Sequence, residues 1–306
     1  MDTRQIEYIL QIAEENNITK AAEKLFITQS ALNQQLLKLE KELGTPLFHR
    51  SRTNWRLTEA GEIYIEGAKA ALQIKNTTYN RIYDVVSARK GHLTIGLTPG
   101  RGLRMFTAIY PELHRSFPNL DVRPIEMRVR TQQDAIAKGE IDVGLMTLAR
   151  RDQTSDTYYP LKQEELVLII PAGHPLAEKA APSGEPLATL DLTELRYEPF
   201  VLMDKTSTLR SSCDLLFEKA GFAPNILFET NNTSGIAAMV QSTLCCGIIP
   251  RYYTLGLTEG VACFSLPERP SWEIVISCQK NAYLNSGARE FIRLAREYWE
   301  NSAPLF

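Results

Sequence analysis

Four residues in one short stretch, Gln29, Ser30, Asn33 and Gln34, carry amide and hydroxyl groups suited to hydrogen bonding with base edges. Glutamine and asparagine match adenine bidentately, and serine reaches several base edges or a phosphate. Thr28 precedes them as a helix cap, and Lys38 follows one turn on, placed for a phosphate. A second cluster, Arg50, Arg52 and Arg56, lies on a segment with a polar turn at its middle. Three guanidinium groups on a short hairpin suit a sugar–phosphate backbone or a minor groove. Further along come three polar stretches, Thr98-Pro99-Gly100-Arg101, Arg128-Val129-Arg130 and Thr206-Ser207-Thr208. Free N–H groups at a helix start favour an anion, and arginine adds a forked donor. Hydrolytic, phosphoryl-transfer and dinucleotide chemistry lack their residues, since GxSxG, Walker A, HExxH and the dinucleotide fingerprint are all missing. His49, His92, His114 and His174 are scattered without metal-ligand partners, so neither a metal nor a cofactor is expected, and no enzyme activity.

These groups need elements to hold them. Ile6, Ile9, Leu10 and Ala13 recur at helical spacing, predicting a helix over residues 4–16. Thr19 is the expected cap of a short second helix, Lys20–Leu25, and Phe26-Ile27-Thr28 the turn after it. A longer helix then runs from Thr28 or Gln29 to Leu43, with Leu32, Leu36, Leu39 and Leu43 inward and Ala31 beside them. Gly44 and Pro46 stop it. Two helices joined by a tight turn form a helix-turn-helix, whose second helix presents its first residues to the major groove. Phe48–Leu57 follows as a wing. A polar helix start is ordinary in any small bundle; the turn, the polar face and the basic hairpin together point to DNA.

The run Ala21-Ala22-x-x-Leu25, Thr28-Gln29-Ser30-Ala31-Leu32, Leu39-Glu40-x-x-Leu43-Gly44-x-Pro46-Leu47-Phe48-x-Arg50 and Leu57-Thr58-x-Ala60-Gly61 resembles the N-terminal signature of LysR-type transcriptional regulators. The likeness spans about forty positions without a gap and extends, more diffusely, to the length and layout of the rest. Asn33 stands where that family most often has serine, and Thr53 where the wing often carries a basic residue. The resemblance implies dimers, and tetramers as pairs of dimers, on promoter DNA with related half-sites, switched by a small-molecule effector. RNA polymerase is a further implied contact.

From Thr58 to about Ser87 the pattern is helical and free of proline. Ala60, Ile63, Tyr64, Gly67, Ala71, Ile74, Thr78, Ile82 and Val85 form its apolar and small-residue stripe. A helix of this length needs a partner for that stripe, and a second copy of itself is the simple one. The resemblance likewise implies a linker helix joining two winged domains.

Beyond Arg89-Lys90-Gly91, strands alternate with helices, which argues for a parallel α/β architecture. Strands are expected at 93–97, 122–127, 141–146, 166–171, 200–203, 226–229, 247–250 and 272–279, and a last helix at 288–299. The fold expected is α plus α/β. A winged helix-turn-helix (1–58) and a linker helix (59–90) precede an effector domain (91–306) of two subdomains, about 91–160 with 268–306 and about 161–267. Its resemblance is to type 2 periplasmic binding proteins. Ligands in such folds lie at the C-terminal ends of strands. That places Thr98, Pro99, Gly100, Arg101, Arg128, Arg130, Thr206, Ser207 and Thr208 at the site, with Met146, Thr147 and Gly247 completing its walls, and suggests a small anionic or carboxylated effector.

The 306-residue chain has a net charge of −2, but residues 20–58 hold seven basic and three acidic side chains. The first helix carries acids among its apolar residues and has no secretory pattern, so the cytoplasm is expected, without a membrane partner. Of the five cysteines, Cys245 and Cys246 are adjacent in an apolar strand and point to opposite faces, which favours buried, inert thiols. Two other readings are a constitutive DNA-binding oligomer with a vestigial effector domain and a redox-sensing regulator.

Overall fold

A computed structural model of the chain describes residues 2–51, 55–86, 89–182, 184–257 and 259–302. It forms two compact units, one of residues up to His92 with Lys138–Glu140, the other of the remainder.

In the first unit, α1 (Thr3–Glu15) closes at Asn16 in the left-handed region. Helix α2 (Ile18–Lys24) starts two residues earlier than its sequence suggests. Asn17, not Thr19, is the cap, because its side-chain carbonyl accepts from the backbone N–H of both Thr19 and Lys20. Helix α3 (Gln29–Leu43) is capped by Thr28, whose hydroxyl accepts from Ala31 N–H. It ends at Gly44, whose φ of 72° suits a residue without a side chain. Ile6, Ile9, Ile12, Ile18, Ala21, Leu32, Leu36 and Leu39 bury the interior between the three helices. Leu43 and Ala31 do not join it; both are exposed. Strands β1 (Phe48–His49) and β2 (Arg56–Leu57) pair antiparallel, Phe48 opposite Leu57. Arg52, Thr53 and Asn54 lie outside the described residues.

The long helix α4 (Glu59–Val85) is capped by Thr58, which accepts from Gly61 N–H and donates its own O–H to the Pro46 carbonyl at 2.7 Å. Gly61 is required by proximity, since a Cβ there would sit 2.1 Å from the Leu47 carbonyl oxygen. The expected single stripe of α4 divides in two. Gly61, Tyr64, Ile65 and Ala68 are buried and close the helix-turn-helix core. Ile63, Ile74, Ile82 and Val85 are 52–84% exposed and leave an open apolar row.

The second unit begins within β3 (Lys90–Leu97), after which α5 (Arg101–Ser116), β4 (Asn119–Glu126), α6 (Val129–Ala137) and β5 (Val143–Leu148) alternate. Strands β3 and β5 run parallel, Ile95 opposite Val143. The next strand, β6 (Thr157–Pro171), is a continuous 15 residues. Beyond it come β7 (Pro199–Met203), α7 (Thr208–Lys219), β8 (Asn225–Thr230), α8 (Thr233–Gln241), β9 (Gly247–Pro250), β10 (Val261–Ser265), β11 (Ser271–Cys278) and α9 (Ser286–Glu300). The first half of β6 pairs antiparallel with β11, and its second half with β9 and β10. β11 returns beside β5, also antiparallel.

Two lobes result, sharing β6. The first is ordered β6-β11-β5-β3-β4; the second holds β10-β6-β9, with the parallel pair β7-β8 joined through a Phe200–Cys246 bridge. The sheet is therefore mixed rather than parallel throughout, because a chain that leaves one lobe on β6 comes back to it on an adjacent strand. Strand β10, five residues long, is not among the strands expected from the sequence; it forms by pairing antiparallel with β6. The first lobe packs Leu93, Ile95 and Leu97 against Phe106, Ile109 and Leu113 of α5 and Phe291, Leu294 and Trp299 of α9. Full burial of side chains this large stabilises by roughly 1.5–3 kcal/mol apiece.

Candidate functional site

On α3, burial of Leu32, Leu36 and Leu39 turns the opposite face outward. Gln29, Ser30, Gln34 and Lys38 are exposed there and Asn33 is half-buried. Ala31, Gln35 and Leu37 are also exposed on this helix, the leucine by 44%. An exposed alanine or leucine beside amides can meet a thymine methyl. The sequence signal for Leu37 was an apolar residue off the i, i+4 row of inward leucines. Phe26, in the turn before α3, has φ 55° and is 96% exposed.

The wing arginines differ in circumstance. Arg50 pairs with Glu40, a carboxylate only 9% exposed that also accepts from Leu47 N–H at 2.8 Å. Its guanidinium lies 5.5 Å from the Trp55 ring centre. Arg50 thus braces the hairpin against α3. Arg56 and His49 are exposed, and Arg52 falls outside the described residues.

The second unit contains a cavity of about 700 Å³ between its two lobes. From the first lobe it takes Thr98, Pro99 and Gly100 after β3, Arg101 and Arg104 on α5, Arg128 and Val129 at α6, and Thr147 on β5. From the second it takes Met203, Thr206, Ser207 and Thr208 ahead of and opening α7, and Asn231, Asn232, Thr233 and Ser234 opening α8. Tyr252, Tyr253 and Trp272 add aromatic wall. Three polar stretches far apart in sequence therefore meet here, as helix starts at strand ends. The Asn231–Ser234 run, after β8, joins them by the same rule, although it is not among the residues expected above. The tyrosines follow β9 in a single helical turn, Arg251–Thr254, that no local sequence pattern marks.

Three expected residues sit elsewhere. Arg130 lies within the first turn of α6, not in a loop, and lines a separate depression of about 460 Å³ with Asp134, Asp152 and Asp156. Met146 is fully buried on the face of β5 opposite Thr147, because neighbouring strand residues point to opposite sides. Gly247 is buried beneath α8, where a Cβ would come 2.6 Å from the Ile236 side chain.

Arg101 is 4% exposed and paired with Glu164, which is 0% exposed. The same carboxylate accepts from Trp272 Nε1 at 2.7 Å and Tyr252 N–H at 2.9 Å. The rings of Tyr252 and Tyr253 lie 4.9 and 5.3 Å from the guanidinium carbon. Burial pulls the arginine's pKa down, but Glu164 and Tyr253 outweigh it and raise it above the ordinary value. This arginine is therefore part of the wall, its charge already matched.

Hydrogen bonds from Arg128, Thr208 and Arg151 cross from lobe to lobe. Arg128 donates to Asp204 at 2.8 Å and to Thr206 Oγ1. Thr208 Oγ1 donates to the Thr147 carbonyl at 3.1 Å, and Arg151 to Ser212 at 3.1 Å. Burial raises the Asp204 carboxyl's pKa, but hydrogen bonds from Thr206 and Arg128 outweigh it and hold it below the ordinary value.

The cysteines lie apart from the cavity's walls. Cys245 and Cys246 lie just ahead of β9 rather than within a strand, are 2% and 1% exposed, and belong to different cores. Burial pushes the Cys213 and Cys246 thiols up to about 12 and Cys263 to about 11. Among the described residues no helix is long and apolar enough to cross a membrane.

Comparison with known proteins follows this geometry. Residues 3–62 match the family model described as bacterial regulatory helix-turn-helix protein, lysR family, and residues 87–300 match the LysR substrate binding domain. The chain is 29% identical to the uncharacterized HTH-type transcriptional regulator YcgK of Bacillus subtilis, over 97% of this chain and 94% of that one. It is similar in fold to full-length OxyR from Pseudomonas aeruginosa, with TM-score 0.68, 21% identity and coverage of 98% and 95% of the two chains. It is similar also to full-length CbnR in complex with its target DNA, with TM-score 0.67, 21% identity and coverage of 97% and 100%. A DNA-reading helix-turn-helix at one end and a two-lobed effector domain at the other make one chain of a known kind: it belongs to the LysR family of transcriptional regulators.

Proposed function

We propose that this regulator binds promoter DNA as a dimer, and as a pair of dimers, and that a small anionic effector held between the two lobes switches its output. The observation that carries the effector reading is the interlobe cavity, whose walls hold hydroxyls, amides and three arginines but no carboxylate. The starts of α5, α7 and α8 meet there, and the N-terminal end of each helix carries a partial positive charge that favours an anion. Thr98 Oγ1 is buried without a hydrogen-bond partner, which gives a bound polar group a ready contact.

On the DNA side, Gln29, Ser30, Asn33 and Gln34 read bases, while Lys38, Arg52 and Arg56 meet phosphate. Thr28 sets the helix start and Arg50 sets the wing. The residues around 1–58 are the DNA-binding part, 59–90 the linker and 91–306 the effector part. The exposed row Ile63, Ile74, Ile82 and Val85 on α4 supports pairing through that helix, and two-fold pairing implies related half-sites. The protein works in the cytoplasm, without enzymatic activity, and touches RNA polymerase when it activates. An effector acts only through unequal affinity for two dimer arrangements.

Footprinting of the full-length protein on its own upstream region tests the DNA half. Protection of two related half-sites about one helical turn or a multiple apart is expected. A single isolated half-site would count against dimeric binding. A thermal-shift screen with metabolites tests the other half, since a ligand that binds only the native state raises apparent stability. Stabilisation by neutral compounds alone would remove the anion from the reading.

A further inference from the structure

Five residues of α8, Thr233, Ser234, Ala237, Ala238 and Gln241, line the interlobe cavity. Their spacing of i, i+1, i+4, i+5 and i+8 is one side of a helix from its first turn to its last. Ile236 and Val240 are fully buried and hold the helix in that orientation. At 1.5 Å per residue the cavity therefore runs beside α8 for about 12 Å. Its character changes along that length. Asn231, Asn232, Thr233 and Ser234 put amides and hydroxyls at the start of α8, where the starts of α5 and α7 also meet. Ala237 and Ala238 follow, with no polar side-chain atom. The segment after β9 adds Tyr253, Gly256 and Leu257 to the wall, and Tyr253 and Leu257 pack against the same buried cluster as Ala237. A Cβ on Gly256 would meet nothing within 4 Å, so open space lies beside it. Gln241, on the last turn, donates its amide to the Glu259 carbonyl at 3.2 Å. The arginines of the cavity all belong to the first lobe; among the described residues no charged side chain of the second lobe lines it.

We infer that the effector is amphipathic, with a polar head where the helix starts meet and an uncharged apolar tail laid along α8, against Ala237, Ala238, Tyr253 and Leu257. This deepens the effector reading and rests on it for the head alone; the groove carries the tail. A cavity of about 700 Å³ has room for a drug-sized ligand. A polar extension along α8 would give up its hydration to alanine and leucine side chains without finding a partner. An apolar one removes its own surface and theirs from water together. The sign of the head group does not alter where the tail goes.

The test titrates the full-length protein with straight-chain carboxylates from acetate to decanoate and, separately, with the alcohols from ethanol to octanol. Affinity is expected to rise about two- to fourfold per methylene, the scale of a partly to fully buried CH₂ group. Ala238→Trp, at an exposed wall position, fills the groove, and Ala238→Glu places a charge in it. Both variants remove the gain with length, melt as the wild type does and bind the shortest measurable member as the wild type does. A rise with length in either series that both variants abolish supports the tail, and an anionic head is supported in addition if carboxylates bind tighter than alcohols of equal length. Carboxylates that bind with no gain in length, or a gain that survives both variants, overturn the proposal and leave the effector reading in place. If neither series binds, the groove accepts no chain and the proposal is overturned. The effector reading is then decided separately by the metabolite thermal shift, in which a stabilising anion without an apolar tail upholds it and the absence of any stabilising ligand removes it.

Discussion

Arg101 and Glu164 form an ion pair at the wall of the cavity, 4% and 0% exposed, and each residue holds the other in place from a different element. Glu164 sits on β6 directly opposite Trp272 of β11, where the chain passes between lobes. The Arg101→Ala change consequently acts on stability before it acts on any ligand. Removing one partner of a buried pair costs about 3–5 kcal/mol, whereas replacing both by apolar residues of like volume costs far less. Denaturant unfolding of Arg101→Ala beside Arg101→Met/Glu164→Leu measures this. Wild-type stability in Arg101→Ala, together with lost ligand binding, would return Arg101 to the role of anion receptor.

The wing gives a second contrast. Arg50 is tied to Glu40 and Trp55, while Arg56 is exposed. Arg50→Ala should lower the stability of the winged domain by about 1–3 kcal/mol, as expected when a nearly buried acceptor loses its charged donor. Arg56→Ala should leave stability alone, weaken binding to all sequences and reduce the salt slope by about one. Gln34→Ala should cost about 1–3 kcal/mol on the cognate site and nearly nothing on random DNA. Melting curves and salt-dependent titrations on both DNAs separate the three; equal losses for Gln34→Ala on both DNAs remove it from base readout.

Thiol chemistry offers a third. An acid whose pKa is raised to about 12, as for Cys213 and Cys246, is ionised in only about one molecule in ten thousand at pH 8. Native protein should therefore react slowly with a thiol-specific disulfide reagent at pH 8, and denatured protein should release five thiols quickly. Fast labelling of Cys213 or Cys246 in the native state would reopen redox sensing.

The Arg128–Asp204 contact predicts a pH-dependent latch. Asp204 has a folded pKa below its unfolded value of about 3.9. Its contribution is therefore fully present above that unfolded value and is lost as the pH falls through the folded one. At neutral pH, Asp204→Ala should speed amide exchange in Thr206–Leu209 by about fivefold, the scale of a half-exposed ion pair worth roughly 1 kcal/mol, with a small change in global melting. Unchanged exchange would mean that the remaining interlobe hydrogen bonds, from Arg128 to Thr206, Thr208 to Thr147 and Arg151 to Ser212, hold the lobes without Asp204.

What the sequence disclosed follows from the range of the forces involved. Leu32, Leu36 and Leu39 announce their helix because amphipathic spacing is local, and Thr28 and Gly44 mark its ends through backbone groups a few residues away. Strand β10 went unread because its state depends on pairing with β6, about ninety residues upstream, rather than on its own composition. The polar loops Thr98–Arg101 and Thr206–Thr208 were legible as helix starts, and their meeting at one cavity followed from the expected fold. The charge state of that cavity was not legible. Arg101 looked free in the sequence because its partner, Glu164, lies 63 residues away. Met146 and Thr147 are neighbours in sequence but occupy opposite sides of β5, and a one-residue choice of strand phase decides which of them meets the cavity.

Strand β6 belongs to both lobes, pairing with β11 along its first half and with β9 and β10 along its second. A crossover between related genes that falls within residues 157–171 joins half-strands from two parents and asks both sheets to accept a foreign edge at once. Recombination in this part of the chain is tolerated only when it carries the lobes together. A regulator can thus acquire a new ligand specificity by inheriting the whole two-lobed body, or by point changes on its cavity walls, but not by exchanging one lobe.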